Sequence, residues 1–117
     1  CMQEQESFSD SHANESISYI AWEPSFGSTG GITFEVNKTG NVVNHNFFTI
    51  PFTVTFSDSP TFLADMQTSN GIDTANVRWK TLGRDSVIVQ VDEEQSADNE
   101  IEHGNEVVGY MLFFEYQ

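Results

Sequence analysis

Residues 47–56 read Phe47-Phe48-Thr49-Ile50-Pro51-Phe52-Thr53-Val54-Thr55-Phe56. Phe48, Ile50, Phe52, Val54 and Phe56 recur at every second position, with threonine and proline between them. A period of two puts these five side chains on one face of a strand, and a helix would scatter them. Pro51 has no amide hydrogen to give a neighbour, so this strand is expected at a sheet edge or bulged at that point.

The same alternation continues on both sides of this stretch. In 16–22, Ile17, Tyr19 and Ala21 face one way, and Ile20 and Trp22 face the other, which predicts a strand covered on both sides. In 31–36, Ile32, Phe34 and Val36 share a face. Residues 61–68 form a further apolar run, followed by Ser69-Asn70-Gly71. Asn-Gly favours positive φ and a tight reversal. In 74–82, Val77 and Trp79 lie opposite Asn76, Arg78 and Lys80, and Gly83-Arg84-Asp85 turns the chain. Residues 86–92 alternate through Val87, Val89 and Val91, and 107–116 closes with a long apolar strand. Loops are expected at 24–30, 39–45 and 93–105. No segment keeps helical spacing over three turns. Short strands punctuated by turns predict an all-β fold, an antiparallel β-sandwich of about six to eight strands.

The chain has 117 residues, enough for one domain with its own core. Eighteen Asp and Glu face four Lys and Arg, a net charge of −14. That balance excludes a nucleic-acid backbone and an anionic membrane surface as partners, since both are bound through clustered Lys and Arg. It disfavours sulfated or uronic polysaccharides unless a divalent cation intervenes. It suits solubility in a salty habitat. Cys1 is the single cysteine, so neither an intrachain disulfide nor a cysteine-based zinc site can form. No apolar run reaches the roughly 18 residues of a spanning helix. No signal-peptide pattern is present, and the chain reads as a piece of a longer secreted or cell-surface protein.

One motif occurs twice. His12-Ala13-Asn14-Glu15-Ser16-Ile17-Ser18-Tyr19-Ile20 matches His103-Gly104-Asn105-Glu106-Val107-Val108-Gly109-Tyr110-Met111, and the copies lie 91 residues apart. That spacing suits a small domain better than a solenoid unit, so tandem domains are expected in the parent protein. Residues 1–22 then read as the closing hairpin of a preceding repeat. Either they dock as extra strands on 31–117, or they open a single domain running from 1 to 117.

The strand 31–36, then Ile50-Pro51-Phe52-Thr53-Val54-Thr55-Phe56 leading to Ser59-Pro60-Thr61-Phe62-Leu63, then Asn76-Val77-Arg78 and the ending His103-x-x-Glu106-x-Val108-x-Tyr110 together resemble the H-type lectin fold. Related repeats occur in bacterial surface and polysaccharide-active proteins. The resemblance spans roughly 85 residues and rests on strand spacing. It implies an antiparallel sandwich that binds sugars such as N-acetylgalactosamine, often as a trimer. It also implies a sugar-contacting arginine at Arg78. The family's aromatic and histidine positions fall near Glu94 and Gln95, where this chain has neither.

Candidate site residues follow from chemistry. Arg78 offers a planar fork of donors to hydroxyls or a carboxylate, or pairs with the acidic loop. Residues 92–100 are densely acidic. Glu94 and Asp98 could accept from sugar hydroxyls, and Asp92, Glu93 and Asp98 are candidate Ca²⁺ ligands, although the spacing and glycine of an EF-hand are missing. Otherwise this run is a solvated loop. His103 either contacts ligand or ties the acidic loop to the last strand. Trp22 and Trp79 are candidate sugar platforms, with Trp79 also a core candidate beside Val77. No nucleophile motif is present, and a non-enzyme is expected. The expected function is a non-catalytic carbohydrate-binding module for a neutral or galactose-rich polysaccharide. The alternative is a structural or adhesin repeat of a surface protein, stabilised in part by Ca²⁺.

Overall fold

A computed structural model gives the conformation of residues 13–95 and 99–116. Seven strands are present: β1 Ser25–Thr29, β2 Ile32–Lys38, β3 Phe48–Pro51, β4 Thr61–Met66, β5 Ala75–Lys80, β6 Ser86–Glu93 and β7 Val108–Glu115. They form two antiparallel sheets, one in the order β1-β2-β7-β4 and the other β3-β6-β5. The fold is the expected all-β sandwich.

The core lies where the inner strands of the two sheets face each other. Val87, Val89 and Val91 of β6 meet Val108, Tyr110 and Leu112 of β7, with Ile50, Phe56, Phe62, Ala75 and Val43 completing the cluster. Each fully buried aliphatic side chain contributes about 1.5–3 kcal/mol relative to exposure. Because β7 pairs with β2 on one side and β4 on the other, its alternation decides which residues of both neighbours point inward.

Sequence and structure part company at six places. Residues 24–30 are not a loop: β1 pairs with β2 through the two-residue turn Gly30-Gly31, with φ of 57° and 81°. Positive φ at both central positions marks a hairpin turn that matches strand twist, and glycine adopts it without penalty. The strand predicted over 47–56 ends at Pro51, on the edge strand β3. Beyond it, the amides of Phe52 and Phe56 donate to the carbonyls of Asp85 and Arg84 instead of continuing the ladder. Residues 16–22 carry the alternation of a strand but join no sheet here. Asn70-Gly71 does not use positive φ. Trp79 lies on the inward side of β5, opposite Val89, yet stays 53% exposed at the margin with its ring edge-to-face on Phe62.

The sixth difference is the orientation of β2. Register places Glu35 opposite Leu112, so the inward residues of β2 are Thr33, Glu35 and Asn37. The apolar set Phe34, Val36 and Ile32 points to the outer face, beside Met111 and Phe113. Glu35 is 1% exposed. Its carboxylate accepts from the amide of Thr53 at 2.8 and 3.0 Å and that of Val54 at 2.9 Å. These are the amides that the end of β3 leaves without a ladder. The Tyr110 hydroxyl donates to the same carboxylate at 3.4 Å. Burial, then the charge of Glu35 and this hydrogen bond, push the Tyr110 phenol up to about 12.

Replacing Glu35 with alanine strands two partly buried amides and removes a buried side chain opposite Leu112. The expected loss of unfolding free energy is on the order of 3 kcal/mol, read as a lower urea midpoint. A loss well under 1 kcal/mol would show that this carboxylate does not hold the 52–56 segment.

Candidate functional site

Two polar assemblies stand out. The first lies at the end of the sandwich where loops 39–46, 67–74 and 94–107 meet. Val43 and Glu106 form an isolated bridge there. It brings the Glu106 side chain, wholly buried, under the 68–71 segment. Its carboxylate accepts from the amides of Asn70 at 2.7 Å and Gly71 at 2.9 Å, from the Thr68 hydroxyl, and from His103 Nε2 at 3.1 Å. The other ring nitrogen of His103, Nδ1, lies 2.9 Å from Glu93 Oε1 at the end of β6. His103 is thus a buried link between two carboxylates. Glu93 Oε2 is buried with no hydrogen-bond partner among the described residues.

Gly71 explains itself in this setting. A Cβ added there would lie 2.2 Å from His103 Cε1. The residue is glycine because the imidazole packs flat against its backbone. Around this centre, Asn44 donates to Asn105 at 2.8 Å, and Asn70 donates to Asn41 at 3.1 Å and to the Asn105 carbonyl at 2.8 Å. Burial raises the Glu106 carboxyl, but the hydrogen bonds from Thr68, Gly71, Asn70 and His103 together outweigh it and bring its pKa below the ordinary 4.5.

The second assembly is the outer face of β3-β6-β5. Arg78 Nε lies 3.2 Å from Asp92 Oδ2, both well exposed. Lys80 Nζ sits 3.3 Å from the centre of the exposed Phe47 ring. Such a stacked cation contributes about 0.5–1 kcal/mol at the surface.

The predicted site residues are therefore not gathered on one surface. Arg78 and Asp92 lie on the outer face of the three-stranded sheet. Trp22 lies on the outer face of the other sheet, its ring 5.5 Å from Phe34 and 6.2 Å from Phe113. His103 is enclosed between the layers, and both ring nitrogens are engaged, so it presents none to a ligand or to a substrate proton. Through these contacts it joins the end of β6 to the start of β7. Glu93 turns inward to the same histidine. Glu94 is half-buried, with its amide bonded to the Thr74 carbonyl. Asp98 lies outside the described residues. Among the described residues, no three His, Cys, Asp or Glu side chains converge as metal ligands.

Sequence reasoning missed Glu35, Thr68 and the Lys80–Phe47 pair. Thr68 and Glu106 are far apart in the chain, and only the 67–74 turn brings them together. Glu35 occupies a position that alternation assigns to solvent.

Gly71→Ala is expected to lower stability by at least about 2 kcal/mol, because the imidazole has no vacant space to move into. Arg78→Ala is expected to change it by no more than about 1 kcal/mol. The acid limb should trace to Glu106. Its folded pKa is depressed, so its contribution is complete above pH 4.5 and is lost as pH falls through the lower folded value. Glu106→Gln should flatten that limb and destabilise the neutral protein. Urea midpoints between about pH 3 and 7 measure both effects.

No family model matches the chain, and no solved structure matches it. Over 102 residues it is 31% identical to a protein of Haloquadratum walsbyi (strain DSM 16790 / HBSQ001) named halomucin. The matched region is 87% of this chain and spans about 1% of that protein's length. Among the described residues, no helix is long and apolar enough to cross a membrane.

Proposed function

We propose that the chain is a non-catalytic structural repeat of a long secreted or surface-exposed protein. One observation carries this: the motif that occurs twice falls, in its second copy, on residues that build the fold. His103, Glu106, Val108 and Tyr110 are all buried. The first two staple the end loops, and the last two supply the inward face of β7. A duplicated ligand site would repeat exposed chemistry. What is duplicated here is the means of closing a sandwich. The likeness to a short region of a very long protein supports a modular setting. The net charge of −14 suits a unit kept soluble and apart from its neighbours. Ca²⁺ held by the 92–100 run belongs to this proposal as a source of added stability.

A second reading, sugar binding as the H-type lectin resemblance implies, is favoured by the exposed Phe47 ring beside Lys80 on the outer face that also carries Arg78, with Trp79 half exposed at the margin of the same strand's inner side. A neutral or galactose-rich polysaccharide would stack on the rings and take hydrogen bonds from the cations.

Calorimetry and a glycan array on the intact chain separate the two. The structural role expects no binding to neutral polysaccharides and a fold unaffected by Arg78→Ala or Trp79→Ala. Saturable binding that either substitution abolishes would overturn it in favour of the sugar-binding module. Melting scans with Ca²⁺ and with a chelator then test the ion, a large Ca²⁺-dependent rise in Tm being expected if the acidic run holds it.

A further inference from the structure

Residues 13–22 have the character of β7 without its surroundings. In β7, Val108, Tyr110 and Leu112 point into the core, and Gly109, Met111 and Phe113 point out. In the motif's first copy the inward places are held by Ile17, Tyr19 and Ala21, and the outward ones by Ser18, Ile20 and Trp22. Here Ile17 is 66% exposed, Tyr19 86% and Ile20 72%, and none of them joins a ladder. The slot such a strand would fill, between β2 and β4, is already taken by this molecule's own β7. Exposed alternating apolar residues outside any ladder are a template for pairing with another chain segment.

We infer that residues 12–22 are the closing strand of a second sandwich of this kind, and that their partner is a copy of the fold whose β2–β4 slot is open. The inference rests on the structural-repeat reading and adds what the segment binds. Within an array, each module would carry at its N-terminus the strand that completes the module before it. Ile17, Tyr19 and Ala21 would enter that module's core, and Glu15 would take the loop-stapling place that Glu106 holds here. Only Glu23 and Pro24 separate this strand from β1. Trp22 is already seated on Phe34 and Phe113 of the following module. Successive modules would therefore meet without a flexible linker.

The test extends the chain at its N-terminus by residues 25–102, a module lacking β7, placed directly before His12. If residues 12–22 close the added module, the extended protein shows roughly twice the β-sheet signal and twice the urea m value of the single chain. The amides of Ile17, Tyr19 and Ala21 should become protected from exchange. If the added residues stay unfolded, with those amides still exchanging freely, the inference fails. Because Ala21 replaces the larger Leu112, a second version carries Ala21→Leu, and an unfolded upstream module in both versions overturns the proposal. The structural-repeat reading stands or falls separately, on the polysaccharide-binding experiment.

Discussion

Buried carboxylates that take up backbone amides are the interaction on which this sandwich depends. Strands are self-satisfying only while the ladder lasts, and each sheet here ends in turns that must still enter a dry interior. Glu35 receives the amides freed where β3 stops at Pro51, and Glu106 receives those of the 70–71 turn. A carboxylate with several N–H donors is among the strongest partners a buried amide can have, and its charge is spread over all of them. Remove either and the cost is more than one hydrogen bond, because several donors are left in low dielectric at once.

The chemistry of the interior follows from this arrangement. A protein with a large excess of acid would be expected to keep every carboxylate in water, yet among the described residues Glu35, Glu93 and Glu106 point inward. Glu93 and Glu106 share a histidine, and Glu35 lies near a phenol that burial and the neighbouring charge keep protonated. The cations are nearer the surface, with Arg78 on Asp92 and Lys80 on Phe47. The interior thus relies on fixed backbone dipoles and one imidazole, both of which salt screens far less than exposed ion pairs.

The layer architecture was legible because Val87, Val89 and Val91 recur at every second position in 86–92, 107–116 is a long apolar run, and those two strands face each other across the core. The boundaries were less so. Gly30-Gly31 was a hairpin signal in plain view, but Ser25-Phe26-Gly27-Ser28-Thr29 has too little apolar content to read as a strand. The face of β2 was misleading for a physical reason. Period two separates Phe34 and Val36 from Glu35, but it does not say which set goes inward, and here the pairing with β7 turns the glutamate to the core. His103 was recognised as a link between the acidic loop and the last strand, since its motif placed it between them. Its partners could not be named, because Thr68, Asn70 and Gly71 reach Glu106 only through the fold. Of the candidate site residues, Arg78 and Trp22 lie on the outer faces of different sheets and His103 lies between the layers. Linear proximity of polar residues carries no information about which side of a sheet they occupy.

The geometry at Asn70-Gly71 has a bearing on chemical durability. Asn-Gly is the dipeptide most prone to deamidation, which begins when the glycine nitrogen attacks the asparagine side-chain carbon and closes a succinimide ring. In this fold that nitrogen is engaged by Glu106 and the asparagine amide is tied to Asn41 and Asn105. The groups that hold the loop also hold the reacting atoms in place. A long-lived chain would age at this position mainly when the loop opens, so the contacts that restrain the loop also protect the covalent structure.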